Sequence, residues 1–331
     1  MAFQILILLA GLALVVLGAD WLVDGSSAIA RKAGLSEFVI GLTIVGIGTS
    51  MPELVVSLTG ALKGSSDIAI GNVVGSNIFN VLMILGLSAL IRPIGITRTN
   101  RRQDIPLNLI VCLLLVICGY HFTMFHIGGE DVLSRFDGVL FLVLFAVYMF
   151  FSFKNGKQDS ELSEGEGAGE KVRPLGIAIL MVLAGLAALV FGGDKFVDSA
   201  RNIAKLLGIS DKFIAVTILA GGTSMPELVT CVVAALKKKD QLALGNIIGS
   251  NISNILLILG SSAVVYHRLP GGPGGLSFGG MTIADLGILI LSSLLLWSSS
   301  YTGKRDSVDR ADGLIFLVCF AGYMAILFNQ L

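Results

Sequence analysis

Charge is scarce in this chain. Only 14% of its 331 residues are Asp, Glu, Lys or Arg, and 23 basic side chains balance 23 acidic ones. Such a chain has no basic field to hold nucleic acid. Its 3 histidines, His121, His126 and His267, are scattered and offer no proton relay by spacing. The 4 cysteines, Cys112, Cys118, Cys231 and Cys319, fall in apolar stretches without CxxC or zinc-type spacing. That argues for free buried thiols and against a zinc centre or disulfide framework. No HExxH occurs, and no Ser-Lys or Ser-His dyad is visible in the apolar stretches, which argues against an intramembrane enzyme. A polar stretch long enough for a soluble domain is also missing. The one polar segment, Lys154 to Arg173, is rich in Gly, Ser and Glu and reads as a flexible, solvated linker.

Apolar sequence fills the rest. At 54% hydrophobic the composition lies outside the soluble range, and runs long enough to cross a bilayer recur from end to end. The first run has no Lys or Arg before it and no convincing cleavage site, so it reads as a spanning helix and not as a secretory signal. Ten spans fit, near residues 2–31, 36–62, 67–91, 104–122, 133–153, 174–205, 210–236, 241–265, 281–299 and 311–330. The expected fold class is an all-α polytopic membrane protein of ten transmembrane helices. Lys and Arg divide sixteen to six between the two sets of loops, with Lys195 inside a span. The positive-inside rule places the richer set, which includes Arg31, Arg101, Arg102, Lys171 and Lys237 to Lys239, in the cytoplasm and both termini outside. A bacterial inner membrane is the expected location.

The second half repeats the first. An offset of 174 residues aligns Gly18 with Gly192 and runs without a gap to Leu90 against Val264, with roughly half the positions identical. Each half holds five spans, an odd number, so the second must enter the membrane inverted. The halves are residues 1–153 and 174–331, joined by the cytoplasmic linker 154–173, with repeated motif regions at 36–91 and 210–265. Inverted repeats with broken helices are typical of secondary transporters, whose substrates bind near the midplane between the halves.

Oxygen-bearing side chains concentrate around the hexapeptide GlyThrSerMetProGlu, at Gly48 to Glu53 and again at Gly222 to Glu227. Proline denies a carbonyl one turn earlier its helical partner, and a carboxylate in mid-membrane is rare, costly and functional by default. Glu53 and Glu227 lie one turn from Thr49 and Thr223 on the same helical face, with Ser50 and Ser224 beside them. A second cluster follows in each half. Ser76 and Asn80, then Ser250 and Asn254, are expected to be ligands or to support them. Asn72, Asn77, Asn246 and Asn251 fit either that role or interhelical glue, and Gly75 and Gly249 fit close packing. Carboxylates, hydroxyls and freed carbonyls are the donor set of hard cations such as calcium and sodium. Two carboxylates brought together from opposite halves match the charge of one calcium, and the same oxygens could take sodium in its place, which is a physical basis for antiport. Asp20, Asp24, Asp194 and Asp198 also match across the repeat; they are either solvated helix ends or a negative ion entrance. Glu37 and Asp211 read as charges that complement helix N-termini.

Both hexapeptides and both GlySerAsn segments resemble the alpha repeats of the cation/calcium antiporter superfamily, in particular its sodium/calcium exchangers and their compact prokaryotic members. The resemblance covers nearly the whole chain. It implies that spans two, three, seven and eight surround the cation sites. It also implies Glu53 and Glu227 as calcium ligands that share sodium, Thr49 and Thr223 as donors of backbone carbonyls, and Ser50, Ser76, Ser224 and Ser250 as sodium-site oxygens. Asn80 and Asn254 would line the centre, Ala220 would lend a carbonyl, and Gly46 is its counterpart. Spans one and six would slide across the central bundle as access alternates. Relatives that also carry potassium place an acidic residue where Asn254 stands, so potassium dependence is not expected. The linker is too short for a regulatory calcium-binding domain.

The expected function is antiport of calcium against a cation, sodium by resemblance, with no cofactor, no nucleic acid and no enzymatic step. The partners are the transported ions and the lipid bilayer, and a monomer suffices. A proton/calcium antiporter using Glu53 and Glu227 as proton acceptors is the nearest alternative. A passive cation channel is more distant.

Overall fold

The polypeptide folds as a bundle of long helices in a computed structural model described for residues 2–125, 130–161, 173–207, 221–266, 273–278, 281–302 and 306–330. In chain order these are α1 (Ala2–Ala33), α2 (Glu37–Thr49), α3 (Met51–Leu62), α4 (Ser66–Ile91), β1 (Ile94–Gly95), α5 (Asn100–Gly119), α6 (His121–Phe125), β2 (Val132–Leu133) and α7 (Arg135–Glu161). The second half supplies α8 (Leu175–Leu206), α9 (Met225–Leu236), α10 (Asp240–Val265), β3 (Leu276–Ser277), α11 (Ile283–Ser299), β4 (Ser307–Val308) and α12 (Arg310–Gln330). Among the described residues, seven helices are each long and apolar enough to cross a membrane: α1, α4, α5, α7, α8, α10 and α12. The pair α2 and α3, bent by 49° where they meet, makes an eighth when counted as one broken span. The other two expected spans correspond to shorter apolar helices, α9 and α11. Residues 208–220, the first part of the expected span 210–236, lie outside the described residues, as do Asp211, Ala220, His126 and His267. Helix α7 also runs past Lys154 to Glu161, into the stretch expected to be flexible.

The interior is mostly apolar but also holds polar and acidic side chains, and large apolar side chains cover the outside. Glu53, Asn77, Asn80, Glu227, Asn246, Asn251 and Asn254 are buried, while Phe3, Phe136, Phe150, Leu183 and Val318 are exposed. Lipid tails solvate such apolar side chains, so polar groups must satisfy one another in the interior. The most apolar window of α10 is 94% buried and that of α7 only 11%. Helix α10 therefore runs through the centre and α7 along the rim.

Without a hydrophobic force between helices in lipid, close backbone approach through small residues does much of the packing. Helix α10 meets α2 in this way: a Cβ added to Gly249 would collide with the Leu42 carbonyl oxygen. Helices α1 and α8 meet through Gly11 against Gly192 and Gly18 against Gly185. At the offset of 174 residues these two contacts are counterparts with the halves exchanged. The strands behave likewise. Antiparallel pairing joins β1 to β4 through Ile94 and Val308, and β2 to β3 through Val132 and Ser277, so each short ribbon ties one half to the other.

The packing at Gly249 is tested by substitution. Gly249→Ala should lower stability by about 1–3 kcal/mol through overpacking. Gly287→Ala, at an exposed α11 position with open space around it, should be neutral or stabilising. Thermal unfolding of the two variants in detergent checks the difference.

Candidate functional site

Serine stands at the helix start in both hexapeptides. Ser50 (φ −80°, ψ 9°) separates α2 from α3, and Ser224 (φ −88°, ψ 10°) precedes α9. Pro52 and Pro226 then fall in the first turn of the following helix, where a missing N–H sacrifices no helical bond. Each proline thus starts a helix and does not kink one. Glu53 and Glu227 occupy the same first turns, where unpaired N–H groups and the helix dipole favour negative charge.

The two carboxylates are held from across the interface between the halves. Ser50 Oγ donates to Glu227 Oε1 at 2.8 Å, and Ser224 Oγ donates to Glu53 Oε1 at 2.9 Å. Ser76 Oγ reaches the same Glu53 oxygen at 3.4 Å and lies 3.2 Å from Ser224 Oγ. Neither Glu53 Oε2 nor Glu227 Oε2 has a hydrogen-bond partner, although both are buried. The same holds for Asn80 Oδ1 and Asn254 Oδ1. Their amide nitrogens are used: Asn80 Nδ2 donates to Asn251 Oδ1 at 3.0 Å and Asn254 Nδ2 to Asn77 Oδ1 at 2.9 Å. Each half contributes one carboxylate and one amide oxygen to this unpartnered set. Wide π-type turns over Phe79–Leu85 and Asn254–Leu259 carry the two asparagines, and such turns are frequent at functional sites.

The remaining expected residues divide into two groups. Thr49 directs its hydroxyl to the Val45 carbonyl at 3.0 Å and to Asn246 Oδ1 at 3.1 Å, so its side chain is already engaged. The Gly46 carbonyl accepts from Ser250 Oγ at 3.1 Å. Thr223 is half-buried and lines a cavity described below. Ala220 lies outside the described residues. Asn72 and Asn246 serve the hexapeptide helices as braces. Asn72 Nδ2 donates to the Glu53 carbonyl and to Ser57 Oγ, and Asn246 Nδ2 to Cys231 Sγ.

One feature has no local sequence signal. Lys237, just past α9, places Nζ 2.6 Å from Asp20 Oδ1 and 2.5 Å from Asp24 Oδ1, and Arg173 adds a bond to Asp24 at 3.0 Å. Burial opposes the ammonium charge of Lys237, but hydrogen bonds and the charges of Asp20 and Asp24 outweigh it and raise its pKa above the ordinary lysine value. The counterparts at the repeat offset are Lys63, Asp194 and Asp198, which make no ion pair among the described residues. Asp194 and Asp198 instead line a cavity of about 420 Å³ that reaches Pro52, Thr223 and Pro226. The two flanks thus differ: ion pairs tie one, and a cavity borders the other.

The chemistry of this donor set is that of a hard cation. Carboxylate, amide and hydroxyl oxygens suit calcium or sodium. Among the described residues no three His, Cys, Asp or Glu side chains group together as a metal cluster.

Comparison with known proteins agrees with that chemistry. The profile of the sodium/calcium exchanger protein family matches residues 3–154 and 177–329. The sodium/calcium exchanger MaX1 of Methanosarcina acetivorans is 36% identical over 366 residues, covering 98% of each chain. The inner membrane protein YrbG of Escherichia coli is 34% identical over 328 residues, covering 97% of this chain and 96% of its own. A solved structure of the sodium-calcium exchanger NCX_Mj superposes with a TM-score of 0.80 at 33% identity, covering 97% of both chains. With the profile matched in both halves and relatives aligned from end to end, this chain belongs to the sodium/calcium exchanger family of integral membrane antiporters, which are secondary transporters and not enzymes.

Proposed function

We propose that this chain exchanges calcium for sodium by giving one central site alternating access to the two sides of a bacterial inner membrane. The supporting observation is the set of four buried, unpartnered oxygens: Glu53 Oε2, Glu227 Oε2, Asn80 Oδ1 and Asn254 Oδ1. Two carboxylates buried in low dielectric carry a penalty of several kcal/mol each unless countercharge is present (roughly, for an uncompensated ion). One divalent cation supplies that countercharge in full. Sodium ions answer the same two charges through the same oxygens, so the two cargoes exclude each other. Ser50, Ser76, Ser224 and Ser250, with the carbonyls of Thr49, Thr223, Gly46 and Ala220, complete the proposed donor set for calcium and sodium.

The architecture proposed around this site is two inverted five-helix halves, residues 1–153 and 174–331. The linker would lie in the cytoplasm and both termini outside, and a monomer would carry out the full cycle. The exchange of contacts between halves at glycine, serine and asparagine positions supports the inverted arrangement. Lys237 and its aspartates then close the cytoplasmic path, while the cavity past Asp194 and Asp198 leads outward. In the inward-facing state Lys63 takes Asp194 and Asp198, and Lys237 releases Asp20 and Asp24.

Two measurements test this reading. In proteoliposomes, calcium-45 uptake should follow an outward sodium gradient and survive a proton ionophore. Uptake that needs a proton gradient and ignores sodium makes the protein a proton/calcium exchanger, and uptake without any counter-ion gradient makes it a channel. For the closed flank, Val23 is informative: it is fully buried and is the counterpart of cavity-lining Val197. In a background without the native cysteines, thiol labelling of Val23→Cys from the cytoplasmic side should rise severalfold when Lys237→Ala is added (about one broken ion pair's worth of bias). Unchanged labelling would count against Lys237 as the closure.

A further inference from the structure

We infer that Asn77 and Asn251 are positioning residues that fix which end of the Asn254 and Asn80 amides faces the cation. This inference rests on the cation-site reading above and adds two side chains to it. An asparagine amide turns about its terminal torsion with little resistance, and the turn exchanges a carbonyl oxygen for an NH2 group. Turned the wrong way, Asn80 or Asn254 would aim two N–H donors at a cation. Something must hold each amide in the accepting orientation.

The geometry supplies that hold from the opposite half. Asn254 Nδ2 donates to Asn77 Oδ1 at 2.9 Å, and Asn80 Nδ2 donates to Asn251 Oδ1 at 3.0 Å. An amide oxygen only accepts, so each bond forms in one orientation of the partner amide. The anchor on one side is itself fixed, because Asn77 Nδ2 donates to the Asn251 backbone carbonyl at 3.1 Å. All four side chains are at most 1% exposed, so solvent does not compete for these bonds. The outcome separates the two kinds of asparagine. Asn77 and Asn251 spend their oxygens inside the protein, whereas the oxygens of Asn80 and Asn254 stay unpartnered. Both bonds cross between α4 and α10, so an accepting site exists only when the two halves are in register.

A double-mutant cycle on the apparent KM for calcium in reconstituted vesicles tests the role. Asn77→Ala alone should raise that KM about fivefold, the scale of one lost hydrogen bond. In an Asn254→Ala background it should add less than about twofold, because the amide it orients is gone. The same fivefold loss in both backgrounds would show that Asn77 acts independently of Asn254 and would overturn the inference while leaving the cation site intact. If Asn254→Ala by itself leaves the KM unchanged, the cation-site reading fails and the positioning role with it. Should Asn77→Ala not fold, the cycle of Asn251→Ala with Asn80→Ala carries the same expectation and the same contrary result.

Discussion

Two carboxylates held inside a membrane bundle are the constraint on which the rest of this structure depends. Ionised and unpaired, Glu53 and Glu227 would destabilise any fold that buried them. The chain meets this with partial satisfaction. Each carboxylate receives one serine hydroxyl from the opposite half and sits in the first turn of a helix, where the dipole is favourable. The second oxygen of each has no partner within the protein, and in the proposed function it is the oxygen that meets a cation.

That compromise dictates the surrounding geometry. A helix must begin at mid-membrane to present its N-terminus to the carboxylate, so α2 and α3 break at Ser50 and α9 begins after Ser224. Proline is tolerated there because the first turn needs no donor at that position. Broken helices need tight neighbours to cover their freed backbone groups. The glycines of α10 allow backbone contact with α2 at distances no side chain would permit. The reciprocal serine and asparagine bonds then make each half incomplete alone. The ion-paired and cavity-lined flanks are built from matched residues, Lys237 with Asp20 and Asp24 against Lys63 with Asp194 and Asp198.

The sequence carried much of this because polar residues in apolar stretches stand out. The hexapeptides, Glu53, Glu227, Asn80 and Asn254 were legible by composition and by repetition at a fixed offset. What was not legible is whatever depends on the path between residues distant in the chain. Nothing near Ser50 says that its hydroxyl belongs to Glu227, and nothing near Lys237 points to Asp20. Asn77 and Asn251 could have been ligands or glue, and only their bonding partners separate them from Asn80 and Asn254. Nothing near Thr49 says that its hydroxyl meets Asn246. Helix lengths were the weakest reading. Helix α7 continues beyond its apolar segment, and α11 is shorter than a hydrophobic span suggests, because apolar composition marks contact with lipid and not where hydrogen bonding stops.

The central claim is that Glu53 and Glu227 bury charge in order to hold a divalent cation. Calcium-dependent thermal unfolding of purified protein tests it most directly, comparing wild type with Glu53→Gln and Glu227→Gln. Wild type should melt higher as calcium is added, since a ligand of the native state stabilises it in proportion to the logarithm of its concentration. Each Gln variant should melt at or above wild type without calcium, because a buried charge has been removed, and should gain nothing when calcium is added. A Gln variant that keeps the wild-type calcium shift would contradict the assignment of that carboxylate to the site.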